Sequence, residues 1–160
     1  MSPAGLNREF EKAVQARAWH TTRRPGFTDK DTPQYSVRVQ SGPLLELALM
    51  CNPDFASKLK SSNLQINRYD PVANTFRGHA DSKNEAPSRG YIWGTFKGGV
   101  LKIHQPDGIR SIRSLSQWFA FDGRHFHEMT PVTDGVRFSA ILFDRPKQDG
   151  QNTGSAIPGS

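Results

Sequence analysis

Apolar positions in the first sixty residues recur mostly at helical spacing; after about residue 64 they fall into short alternating runs. Leu6, Phe10, Val14 and Ala18 stand about four apart, which predicts an amphipathic helix over 6–19 with Asn7 as a candidate N-cap. The stretch 21–33 is polar, holds two prolines and Gly26, and reads as loop. Residues 35–39 (YSVRV) alternate as a strand does. Gly42-Pro43 then opens a second helix running to about Lys60, which Pro53 should break into two shorter ones.

The remaining runs are short and rich in β-branched or aromatic residues: 64–69, 91–96, 100–103, 109–112, 118–121, 126–129 and 136–143. Turn chemistry separates them at Gly98-Gly99, Pro106-Asp107-Gly108, Asp122-Gly123 and Asp134-Gly135. Many short strands at close spacing imply an all-β sandwich or barrel with helices ahead of it, not a parallel α/β sheet. The chain therefore divides into a helical and loop support region (1–60), a β core (61–146) and a tail (147–160) poor in anything to bury, expected to be disordered.

Composition alters this picture little. At 160 residues there is room for one core. The net charge of +6 favours polyanionic partners, although no run of five like charges forms a basic arm. A single cysteine, Cys51, excludes an internal disulfide and a cysteine-zinc cluster, and within its apolar run it reads as a small buried hydrophobe. With no segment resembling a membrane span or signal peptide, the expectation is a soluble intracellular protein, cytoplasmic or nuclear.

Chemistry concentrates in the β core. In an extended segment His79 and Asp81 point to one face, so an imidazole and a carboxylate can take adjacent positions on an octahedral metal. A second histidine would complete a two-histidine, one-carboxylate triad that leaves three positions open for reactants. His127 and His125 share a face and both qualify; His127 is favoured because Arg137 follows it by ten residues, and His125 then packs nearby. On a strand, Arg137, Ser139, Ile141 and Phe143 share one face and Val136, Phe138, Ala140 and Leu142 the other. A guanidinium among apolar residues needs an anionic partner, and a dicarboxylate would accept from both Arg137 and the Ser139 hydroxyl. A sheet-edge arginine paired with a glutamate is the plainer alternative.

In this order, His79-x-Asp81, Gly98-Gly99-x-Leu101, Phe121-Asp-Gly123, His127, Pro131 and Gly135-x-Arg137-x-Ser139 resemble the iron(II)- and 2-oxoglutarate-dependent oxygenase superfamily, across roughly 64–146. The resemblance implies a double-stranded β-helix (jelly-roll) core with the N-terminal helices packed on one sheet. It also implies iron held by His79, Asp81 and His127, with 2-oxoglutarate and O2 as co-substrates and Arg137 and Ser139 at the far carboxylate. The segment Ile66-Asn67-Arg-Tyr69 before His79 is similar to the AlkB-type nucleic-acid demethylases, which adds Asn67 and Tyr69 as co-substrate contacts. The Gly-Gly-x-Leu and Phe-Asp-Gly elements look closer to TET/JBP-like base hydroxylases and prolyl-hydroxylase-like proteins, so the subfamily stays open.

Three functions compete: an oxygenase that hydroxylates or demethylates a nucleobase in DNA or RNA, the same chemistry on a protein side chain or small molecule, and a non-catalytic jelly-roll binding module. A base extruded from its stack would need phosphate grips and aromatic platforms. Lys83 and Arg89 are candidates for the first and Tyr91 and Trp93 for the second, against solvated charges and core aromatics as the ordinary alternatives. Oligomeric state is not readable, and the chain's shortness is compatible with a minimal or truncated domain.

Overall fold

The computed structural model describes residues 2–20, 35–74, 78, 80, 87–114 and 116–144. Helix α1 spans Pro3–Ala16, so it begins before Leu6. Ser2, extended at φ −70° and ψ 159°, is the N-cap and accepts from the Gly5 amide at 3.1 Å, while Pro3 fits a first turn that has no use for its missing N–H. Asn7, expected as the cap, lies a turn inside and is buried. Its Oδ1 accepts from Trp118 Nε1 at 3.0 Å, tying the helix to the sheet. Pro53 separates α2 (Pro43–Cys51) from α3 (Pro53–Ala56) as expected. Between them Asn52 leaves helical geometry at φ −133° and returns Nδ2 to the Ala48 carbonyl at 2.9 Å.

Among the described residues eight strands follow the predicted runs: β1 (Tyr35–Val39), β2 (Ser62–Tyr69), β3 (Ser88–Gly98), β4 (Leu101–Gln105), β5 (Gly108–Ile112), β6 (Phe119–Phe121), β7 (His127–Met129) and β8 (Val132–Asp144). They form a five-stranded sheet in the order β1-β2-β8-β3-β6 and a three-stranded sheet in the order β5-β4-β7, every pairing antiparallel. Strand alternation gives the large sheet two buried faces. One carries Leu64, Ile66, Tyr91, Trp93, Phe138, Ala140 and Leu142 against Phe10, Val14, Leu45, Ala48 and Phe55 of the helices. The other faces the small sheet, where Ile92, Phe119 and Phe121 meet Leu101, Ile103 and Ile112.

Asp134-Gly135 is not a turn. It lies within the thirteen-residue β8, where Gly135 adopts φ +80° opposite Phe96, and a Cβ there would run into the Thr95 carbonyl. The positive-φ residue that usually reverses a chain here serves an irregular ladder, whose register slips between Lys97 and Gly98. The Gly98-Gly99 signal does separate β3 from β4, at φ +74° and +62°, but as a bend between the sheets and not a reversal, since the antiparallel register runs on from Gly98 opposite Val132 to Leu101 opposite Met129. Cys51 is half-buried, and desolvation pushes its thiol up to about 11, the behaviour of an inert packing residue. Among the described residues no helix is long and apolar enough to cross a membrane. The tail expected to be disordered, 147–160, falls outside the described residues.

Candidate active site

The β2–β8 ladder sets the site. Its register places Asn67 opposite Ser139 and Tyr69 opposite Arg137. Because Leu64 and Ile66 face the helices, the alternate residues Asn67 and Tyr69 face the small sheet, as do Arg137 and Ser139. All four are buried. Asn67 Nδ2 donates to Ser139 Oγ at 3.1 Å, and Asn67 Oδ1 accepts from Gln65 Nε2 at 3.2 Å.

Arg137 is 2% exposed, so burial disfavours its charge and pushes the guanidinium down to about 10. Its Nε donates to the Gly99 carbonyl at 3.0 Å, and the guanidinium carbon lies 5.3 Å from the centroid of the Tyr69 ring. Among the described residues none of the ion pairs includes it. A buried cation held by one carbonyl and one aromatic face suits a small anion arriving between the sheets.

His127 is supplied by the small sheet, on β7, paired with Ile103 of β4. It is 6% exposed and rests edge-on against Phe121 with centroids 5.9 Å apart. Its Nδ1 lies 2.9 Å from the His125 carbonyl oxygen. A carbonyl only accepts, so Nδ1 is the donor and the lone pair of the neutral ring sits on Nε2, the arrangement of a metal-ligating histidine. His125 itself is half-buried. Met129, on the same face of β7 as His127, packs with Tyr69 and Val132. That contact links the histidine's strand to the group around Arg137.

His79, Asp81 and Lys83 lie outside the described residues, and among the described residues no three His, Cys, Asp or Glu side chains approach closely enough to hold a metal. Their neighbours are informative. Asn74 Oδ1 accepts from the Val132 amide at 2.9 Å and its Nδ2 donates to the Val132 carbonyl at 3.0 Å. Gly78 lies so close to the Phe126 ring that a Cβ would collide with it. The residues just before His79 and just before His127 are thus in contact.

Arg89, Tyr91 and Trp93 are not at this site. β3 pairs Tyr91 with Ala140 and Trp93 with Phe138, which commits all three to the helix side of the sheet, away from Arg137. Arg89 lies 4.9 Å above the Phe55 ring of α3. Tyr91 stacks on Trp118 at 5.2 Å and donates to Glu11, and Trp93 stacks on Phe138 at 5.5 Å. All three pack between the helices and the sheet. Sequence reasoning gave Gln65 no role and Gly99 none beyond turn and motif. A polar Gln65 at an inward position of β2 was the available signal for the first; nothing local marks the carbonyl of the second.

No known protein-family profile matches the chain. It is 28% identical over 165 aligned positions to a PKHD-type hydroxylase of Shewanella oneidensis, covering 84% of this chain and 70% of that protein. Among solved structures it superposes on a 2OG-Fe(II) oxygenase family oxidoreductase from Burkholderia pseudomallei with TM-score 0.59 and 22% identity, over 89% of this chain and 79% of that one. It also superposes on a Trichoplax adhaerens prolyl hydroxylase in complex with a hypoxia inducible factor peptide fragment, with TM-score 0.56 and 9% identity, over 98% and 83%. Sequence relative and fold agree: the chain is similar to a hydroxylase in sequence and shares the double-stranded β-helix fold of the iron(II)- and 2-oxoglutarate-dependent oxygenases, which are oxidoreductases of the dioxygenase type.

Proposed function

We propose that this chain hydroxylates a saturated C–H on a peptide side chain, with His79, Asp81 and His127 as iron ligands and 2-oxoglutarate held by Arg137, Ser139, Asn67 and Tyr69. Arg137 carries the reading. It is a desolvated guanidinium without a carboxylate among the described residues, beside a serine hydroxyl and ten positions after a buried histidine whose Nε2 bears the lone pair. The donor set fits: neutral imidazole and carboxylate suit iron(II), and arginine with serine suits a carboxylate. The contact of Gly78 with Phe126 and the Asn74–Val132 bonds support bringing the segment of His79 and Asp81 to β7.

Iron(II) held there would supply oxygen activation, by which one oxygen atom would enter the substrate C–H and the other succinate, with loss of CO2 from 2-oxoglutarate. The chain's own part is placement. Arg137 neutralises the far carboxylate and, being planar, fixes its orientation. The His125 carbonyl keeps His127 in the metal-binding tautomer. Ile92, Ile103 and Phe121 keep the space between the sheets apolar, which strengthens every charge interaction within it.

Hydroxylation is supported by the PKHD-type hydroxylase relative, and a peptide substrate by the peptide complex of the prolyl hydroxylase. A nucleic-acid substrate keeps one observation in its favour, the +6 charge, while the aromatics expected to stack a base are in the core. The test is anaerobic titration of iron(II) into protein plus 2-oxoglutarate, followed by succinate release on addition of peptide pools or single-stranded oligonucleotides across a salt series. A weak visible charge-transfer band with peptide-stimulated succinate is expected. Stimulation by oligonucleotide alone, weakening with salt, would replace the peptide by a nucleobase, and no band at all would remove the oxygenase reading.

A further inference from the structure

We infer that Gln65 is a positioning residue for the co-substrate: through Asn67 it turns the Ser139 hydroxyl toward the carboxylate that Arg137 holds. The inference rests on the proposed function. Gln65 sits on β2 two residues before Asn67, on the same face, and is half-buried. Its Nε2 donates to Asn67 Oδ1 at 3.2 Å and to Ser36 Oγ of the edge strand β1 at 3.2 Å. Asn67 Nδ2 donates in turn to Ser139 Oγ at 3.1 Å. A hydrogen-bonded row therefore crosses β1, β2 and β8 and ends two residues from Arg137.

The row has a direction. An asparagine amide turned the other way would present Oδ1 to Ser139 and accept the hydroxyl proton. Gln65 prevents this by placing an N–H against Oδ1, which commits Nδ2 to Ser139. With Oγ already accepting, the proton of Ser139 must be given elsewhere, and Arg137 cannot take it, because a guanidinium has no acceptor. A carboxylate bound to Arg137 can. Gln65 touches no reactant in this arrangement; it selects which partner receives the serine proton.

Gln65→Leu removes the N–H that orients Asn67, and Gln65→Glu goes further, because an ionised carboxylate accepts only and favours the turned amide. The readouts are the KM for 2-oxoglutarate and kcat in the iron-loaded full chain, with binding of 2-oxoglutarate by titration calorimetry. We expect the KM to rise about 3- to 10-fold for Gln65→Leu and more for Gln65→Glu, the range one redirected neutral hydrogen bond allows, with kcat at saturating 2-oxoglutarate unchanged. In a Ser139→Ala background Gln65→Leu should have a clearly smaller effect, limited to what Asn67 itself contributes, because the hydroxyl it orients is gone. Equal effects in both backgrounds, or a fall in kcat with unchanged KM, would overturn the role. So would an unchanged KM in Gln65→Glu. Should the leucine variant melt early, Gln65→Met preserves bulk and is read the same way. Failure of the wild-type chain to bind 2-oxoglutarate would count against the proposed function itself, a result separable from all of these.

Discussion

At the scale of single residues, Arg137 gives the sharpest expectation. Truncation to alanine should weaken 2-oxoglutarate binding by about 30- to several-thousand-fold, the cost of about 2–5 kcal/mol for removing one side of a desolvated charge pair. Because burial already penalises the guanidinium, the ligand-free variant should melt close to wild type. Calorimetric binding paired with thermal melting checks both halves, and equal losses in the two would make Arg137 a structural residue. Arg137→Lys should recover only part of the affinity, since an ammonium lacks the planar fork. Arg137 was legible in the sequence because a charge breaking an apolar alternation must have a reason. For Tyr91 and Trp93 the sequence left a stacking platform and a core position both open, because both faces of β3 are apolar and only the pairing with Ala140 and Phe138 tells which lies under the helices.

Strands and turns show where local chemistry determines an element and where the ladder does. The number and order of strands followed from turn residues, yet Asp134-Gly135 was read as a reversal when it supports a long strand with a slipped register. Positive φ is a local property; whether the chain then reverses depends on a partner strand, here β3, some forty residues away. Gly135→Ala should accordingly cost about 2 kcal/mol or more, from left-handed strain and collision with the Thr95 carbonyl. Denaturant unfolding measures it, and a loss under about 0.5 kcal/mol, the range of ordinary surface substitutions, would contradict the assignment. The β6–β7 turn leading to His127 carries a second expectation. Hydrogen bonds from the Arg124 side chain, opposed by desolvation and aided by the Arg124 amide, hold Asp122 down at about 2. The folded value lies below the unfolded one of roughly 4, so this carboxylate stabilises above that pH and its contribution fades as pH falls from 4 toward 2. Asp122→Asn should flatten stability in that window alone, which acid titration of the melting temperature will show.

Over the whole molecule, the helices serve the sheet that carries the site. Phe10 of α1 is fully buried, edge-on to Trp93 at 5.9 Å and tilted against Trp118 at 5.3 Å. Phe10→Ala should destabilise by about 3–5 kcal/mol, measurable by denaturant titration, while affinity for 2-oxoglutarate in the folded fraction stays near wild type, because the damage falls on the far face of the sheet. The helices were visible from their spacing; that they cover the face opposite Arg137 was visible only once β2 and β8 were paired. The net charge of +6 pointed at polyanions, but distributed charge selects partners weakly and gives no location. One small feature reaches furthest. The backbone amide of Val132, at the first residue of β8, is held by a side chain, Asn74, from the chain that leads toward His79. Its hydrogen–deuterium exchange therefore clocks the docking of that chain: opening there releases the amide without unfolding either sheet. Slowed exchange at this one position when metal is added would time the assembly of the centre in solution, and Asn74→Ala should erase the signal.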